Sequence, residues 1–192
     1  MNFNKQKQDI LKKQDKSKKG DVDEKIQKLT NLINNKKNFY TTSSCSGRIM
    51  LLQVSNSGKK NETKWLFVSH NPVAFQEIAD TLKNPEGDVW FKQEGMILHI
   101  SARTIEDAEK MLIICREAGF KRAGITNTGK RIVLEIFSNE RIDTIACKNG
   151  KKIIDGDYLK ILMEEANKKL ERNWENLEKL ENQLRIKNLK DI

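Results

Sequence analysis

Three pairs of short apolar runs, interleaved with two helix-like stretches, most restrict what this chain can become. RIMLLQV (48–54) and TKWLFVSH (63–70) are rich in β-branched and aromatic residues and flank SNSGKKNE, which reads as a hairpin loop. VWFKQ (89–93) and MILHISA (96–102) repeat that arrangement around Glu94-Gly95. KRAGITN (121–127) and RIVLEIFS (131–138) repeat it again across Thr128-Gly129. Between the pairs, Asn71-Pro72 starts a helix, VAFQEIADTLK, that stops before Asn84-Pro85. A longer helix, TIEDAEKMLIICREAG, runs from an N-cap at Thr104 to a C′ glycine at Gly119. The order is β-β-α, β-β-α and a closing β-β pair, with Ser69 and Ser101 in corresponding places before the two helices, as in an internal duplication. An α+β fold follows: a mixed or antiparallel sheet with helices on one side, too irregular in its alternation for a Rossmann-type doubly wound sheet.

Both ends read as helix. Asp21 is a suitable N-cap for VDEKIQKLTNLINN, with Glu24 three residues on, and Ile26, Leu29, Leu32 and Ile33 make one apolar stripe. From Asp157 to Leu189 the chain reads as one long helix striped by Leu159, Leu162, Ala166, Leu170, Trp174, Leu177 and Leu184. A helix of that length outreaches a small core and packs either across the whole molecule or against a second chain, giving a homodimer. The stripe lacks strict heptads, which favours the first. The expected layout is a single domain over 1–192: a basic helical segment (1–35), an α+β core (36–155) and the long helix (156–190).

The net charge of +9 and pI near 9.4 point to a polyanionic partner, nucleic acid first, through counterion release. Residues 1–20 carry seven lysines against Asp9 and Asp15. The apolar runs are too short for a membrane span, and MNFNKQKQDILKK has no apolar signal-peptide region, so a cytoplasmic protein is expected. Three scattered cysteines, Cys45, Cys115 and Cys147, fit a reducing compartment. With only His70 and His99 besides, no metal-ligand spacing is present and no metal is expected.

GITNTGKR (124–131) approaches a phosphate-binding P-loop but puts Arg131 at the hydroxyl position and a β-branched run where a helix is required. It reads as a hairpin turn. Lys121-Arg122 and Lys130-Arg131 beside it form a basic patch that suits phosphates or a charged sheet edge. TTSSCSGRI (41–49) is different: five hydroxyls, a thiol and a glycine precede Arg48. It is either a polar lead-in to the strand at 48–54 or a ligand loop. In the second reading, backbone N–H groups nest an anion and Arg48 clamps a carboxylate or phosphate.

DKSKKGDVDEKI (15–26), NFYTTSSCSGRI (38–49), WLFVSH (65–70), KQEGMILHI (92–100), REAGFKRAGI (116–125) and the tail DYLKILMEEANKKLERNWENLEKL together resemble the tRNA wybutosine-synthesizing protein 3 family. The resemblance spans nearly the whole chain. Two positions depart from it: Gly95 stands where proline is frequent, and Ala123 where serine is frequent. It implies a methyltransferase that uses S-adenosylmethionine to methylate N4 of the 7-aminocarboxypropyl-demethylwyosine base of phenylalanine tRNA. On that reading Ser43, Ser44, Ser46 and Gly47 line the cofactor site, and Arg48 binds a carboxylate of cofactor or substrate. His70 is the candidate proton acceptor. Trp65 stacks on the base or belongs to the core. Lys16, Lys18, Lys19, Lys121 and Arg122, with His99, face the RNA substrate. The alternatives are a non-catalytic basic RNA-binding module and an assembly protein organised by the long helix.

Overall fold

The computed structural model describes residues 2–12, 23–54 and 62–187. Among these the helices are α1 (Phe3–Leu11), α2 (Glu24–Asn34), α3 (Phe75–Thr81), α4 (Ile105–Glu117) and α5 (Gly156–Ile186). The strands are β1 (Phe39–Cys45), β2 (Arg48–Val54), β3 (Lys64–Ser69), β4 (Asp88–Glu94), β5 (Ile97–Ala102), β6 (Gly124–Asn127), β7 (Ile132–Phe137), β8 (Ile142–Lys148) and β9 (Lys151–Lys152). Every strand pair is antiparallel. The fold is α+β, as expected, and not Rossmann-like. Its strands form two sheets, not one, and the chain folds as two compact units, each built from separated segments.

The first unit comprises residues 1–46, 96–139 and 173–192 and holds the sheet β1-β5-β7-β6. Period-two alternation sends Leu98 and Ile100 of β5 and Leu134 and Ile136 of β7 to one face. There they join Ile26, Leu29 and Ile33 of α2, Met111 and Cys115 of α4, and Leu177, Leu180 and Leu184 of α5 in one buried cluster. Both ends of α4 behave as its sequence expects. Thr104 Oγ1 accepts the Asp107 N–H at 3.1 Å. At the C-terminus Phe120 N–H donates to Cys115 O and Gly119 N–H to Arg116 O, with Gly119 at φ +107°, a Schellman ending.

The second unit comprises residues 47–95 and 140–172 and holds the sheet β3-β2-β4-β8-β9. Its buried residues include Ile49 and Leu51 of β2, Val89 and Phe91 of β4, Ile78 of α3, and Leu159, Met163, Ala166 and Leu170 of α5. Asn149 and Gly150, at φ 50° and 75°, supply the tight turn from β8 to β9 that only left-handed residues make.

Several local expectations are corrected. VWFKQ and MILHISA are strands but not a hairpin: β4 pairs with β2 and β8, while β5 pairs with β1 and β7. The second β-β-α repeat is therefore not built like the first. Helix α2 begins at Glu24 behind Asp23, and Asp21 lies outside the described residues, as does most of the SNSGKKNE loop. Helix α3 is shorter than its sequence suggests, and α5, 31 residues and about 46 Å long, ends at Ile186. On α5 the buried position is Asn173, fully enclosed, with Trp174 only partly buried. With Asn173 in the stripe, Ala166, Leu170, Asn173, Leu177, Leu180 and Leu184 follow at spacings of 4, 3, 4, 3 and 4, and all are buried. No helix among the described residues is long and apolar enough to cross a membrane.

Candidate functional site

Thr41–Cys45 do not form a nest. They are the second half of β1, an edge strand whose ladder with β5 pairs Ser43 with His99, Ser44 with Leu98 and Cys45 with Ile97. Thr41 and Thr42 suit an extended backbone, and the irregularity between Thr41 and Ser43 shifts the register there. Ser43 is exposed on this strand, and Ser44 and Cys45 are half-buried.

Ser46, directly after β1, is fully buried. Its N–H and its hydroxyl both donate to Asp23 Oδ2, at 2.8 and 3.2 Å. Asn173 Nδ2 donates to the Ser46 carbonyl at 2.7 Å, while Asn173 Oδ1 accepts the Met96 N–H at 2.8 Å. Asp23 stands at the N-cap of α2 yet makes no side-chain cap bond there. Its carboxylate accepts from Ser46 instead. A buried carboxylate and a buried amide thus fix one residue, as buried polar groups require.

Gly47 follows at φ +98°, a conformation that penalises any Cβ, so glycine is dictated by the turn. Its carbonyl lies 2.9 Å from His70 Nδ1. A carbonyl only accepts, so Nδ1 carries the proton and the neutral ring has its lone pair on Nε2.

Arg48 opens β2 opposite Glu94 of β4. Its Nε and Nη2 donate to Glu94 Oε2 at 3.0 and 2.8 Å, and its guanidinium lies 4.7 Å from the centre of the Trp65 ring. Trp65 is 39% exposed on the edge strand β3, so its indole is not a core residue. Arg48 therefore has a carboxylate on one flank and an aromatic face on the other, which orients the fork. Nearby in the same sheet Lys92 reaches Asp143 at 2.7 Å, and Asp143 also takes a bond from Arg141.

In the first unit, His99 of β5 lies between Ser43 of β1 and Glu135 of β7. Ser43 Oγ is 2.6 Å from His99 Nδ1, and His99 Nε2 is 3.1 Å from Glu135 Oε1. Lys121 and Arg122 are exposed after α4, as are Lys130 and Arg131 at the β6–β7 turn. That turn is a hairpin, with Gly129 N–H donating to Asn127 Oδ1, and not a phosphate loop. Lys16, Lys18 and Lys19 lie outside the described residues.

Sequence reasoning missed Asp23, Glu94, Glu135 and Asn173. Asn173 alone left a trace, as a polar residue in phase with an apolar stripe.

A family model described as Methyltransferase TYW3 matches residues 5–186. The chain belongs to the methyltransferase TYW3 family. This TYW3 protein is 37% identical over 172 residues to the tRNA(Phe) 7-((3-amino-3-carboxypropyl)-4-demethylwyosine(37)-N(4))-methyltransferase 1 of Pyrococcus horikoshii, with 88% of each chain covered. The methyltransferase of the same name in Thermococcus sibiricus is 40% identical, with 95% of this chain and 94% of that one covered. The tRNA wybutosine-synthesizing protein 3 homolog of Xenopus laevis is 38% identical, covering 89% of this chain and 70% of the frog protein. Among solved structures, that of the PH1069 protein from Pyrococcus horikoshii superposes with a TM-score of 0.88 at 36% identity, over 95% of this chain and 96% of that one. The family is one of enzymes, and its TYW3 fold is the one described above.

Proposed function

We propose that this TYW3 protein is a cytoplasmic, S-adenosylmethionine-dependent methyltransferase acting on N4 of the 7-(3-amino-3-carboxypropyl)-4-demethylwyosine base at position 37 of phenylalanine tRNA. One observation carries the reading: proteins named for this reaction match 88 to 95% of the chain. When bound, S-adenosylmethionine supplies a methyl group on a sulfonium leaving group, which needs no metal to depart.

The residues present suit such a ligand. Its amino-acid end is a zwitterion, and Arg48 and Glu94 offer a cation and a carboxylate 2.8 Å apart, with side chains 28% and 35% exposed. Arg48 takes the carboxylate of the cofactor or of the substrate's aminocarboxypropyl chain. Ser43 and Ser44 contribute hydroxyls, and Gly47 a backbone without a side chain. Ser46 contributes through the shape of the loop, its hydroxyl being held by Asp23. Arg48 and His70 are the catalytic candidates, His70 with its lone pair on Nε2. Trp65 stacks on the tricyclic base. Lys16, Lys18, Lys19, Lys121 and Arg122 contact the RNA backbone, and His99 faces the substrate. The chain works as one functional domain. Where two copies associate through α5, they use its exposed Tyr158 and Ile161, because the apolar stripe is buried within each chain. Calorimetric titration with S-adenosylmethionine tests the reading against a non-catalytic RNA-binding module: saturable binding that Arg48→Ala weakens supports the enzyme, and none supports the module.

A further inference from the structure

One face of the four-stranded sheet carries a row of three polar side chains. Ser43, His99 and Glu135 occupy directly opposed positions on three neighbouring strands, linked by contacts of 2.6 and 3.1 Å. A carboxylate only accepts, so His99 Nε2 carries the proton toward Glu135 and the neutral ring has its lone pair on Nδ1. The Ser43 hydroxyl then donates to His99, which leaves the oxygen's own lone pairs directed away from the ring. The row is reachable. Ser43 is exposed, and the His99 and Glu135 side chains are 28% and 33% exposed. Gly124 stands opposite Glu135 on β6, and a Cβ there would meet nothing within 4 Å. The adjoining row on the same face, Cys45, Ile97 and Phe137, is largely apolar, with Ile97 37% exposed.

Hydrogen bonds that merely tie part-exposed side chains together contribute little to stability, since water competes for each. An acceptor oxygen coupled to an imidazole, itself coupled to a carboxylate, has a chemical use. We infer that Ser43, His99 and Glu135 form the proton relay of the methyl transfer, a reading that rests on the function proposed above. The attacking nitrogen forms its bond to the methyl carbon as the carbon–sulfur bond breaks and its pair stays on sulfur. The nitrogen's proton passes to Ser43 Oγ while the Ser43 proton passes to His99 Nδ1. The imidazolium is held by Glu135 and later releases the proton to water. Ser43 is the group that touches substrate, and His99 and Glu135 are positioning residues acting through it.

Two measurements test the relay. The chain has only two histidines, so ¹⁵N-imidazole NMR of the free protein resolves both rings. His99 is expected as the Nε2–H tautomer and His70 as Nδ1–H. A His99 ring protonated at Nδ1 alone overturns the relay, because Ser43 then has nowhere to send its proton. In steady-state methyl transfer, Glu135→Gln keeps a hydrogen-bond acceptor of the same size but removes the charge that holds the imidazolium. It should lower kcat at least about tenfold, within the range typical of general-base loss, with little change in KM for cofactor or tRNA. Ser43→Ala should lower kcat similarly, and the double variant should be no worse than the poorer single one. Wild-type turnover with Glu135→Gln within twofold of it overturns the relay alone. Absence of turnover in the wild type overturns the methyltransferase reading and the relay with it.

Discussion

Asp23 Oδ2 accepts both the backbone N–H and the hydroxyl of Ser46, a residue that is itself fully buried. The first helix of the core thereby grips the end of the strand that carries the serines. Removing the carboxylate leaves a buried N–H without its acceptor, at a cost of about 1–3 kcal/mol. Asp23→Ala should lower stability by that amount in urea titration and weaken cofactor binding. Asp23→Asn, which keeps an acceptor oxygen, should lose less of both.

Arg48 presents the opposite balance. Its pair with Glu94 is part-exposed, so the ion pair contributes at most about 1 kcal/mol. Arg48→Ala should leave the circular dichroism spectrum intact and the urea midpoint little changed, while abolishing turnover. A fully active Arg48→Ala variant would remove this residue from the site.

The Schellman ending of α4 is a test of the fold alone. Gly119 sits at φ +107°, and an added Cβ would lie 3.3 Å from Asn176 Oδ1. Gly119→Ala should destabilise the protein by more than about 1 kcal/mol, measured by thermal or urea unfolding, with no effect on cofactor affinity beyond that loss.

Burial pushes the Asp143 carboxyl up, but its hydrogen bonds to Lys92 and Arg141, with their charges, together outweigh that and hold it below the ordinary carboxylate range. The folded-state value is depressed, so the stability it contributes is fully present above the unfolded value of about 3.9. It is lost as pH falls through the folded value. Asp143→Asn should flatten the acid side of the stability–pH curve and leave an ordinary, unlinked protein above pH 5 merely less stable.

Much of the fold was legible because its signals are local. Thr104, Gly119 and the alternation in β5 and β7 each determine structure within a few residues. Strand partners are not local: Glu94-Gly95 looks like a hairpin turn, yet the strands on either side pair elsewhere. Asn149-Gly150, a stronger turn signal, joins two strands that composition left unmarked. Around the site, the glycine and arginine of SSCSGR were readable from their chemistry. The partners that fix them, Asp23, Asn173 and Glu94, come from distant segments. A carboxylate's burial is visible only once those segments have met.

The central claim is that this chain methylates the wyosine-type base of phenylalanine tRNA. Incubating the full chain with precursor tRNA and methyl-labelled S-adenosylmethionine, then analysing the nucleosides by mass spectrometry, tests it most directly. One added labelled methyl group on the aminocarboxypropyl-demethylwyosine nucleoside is the predicted result. Unlabelled nucleoside, from protein that is folded and binds the tRNA, would contradict it.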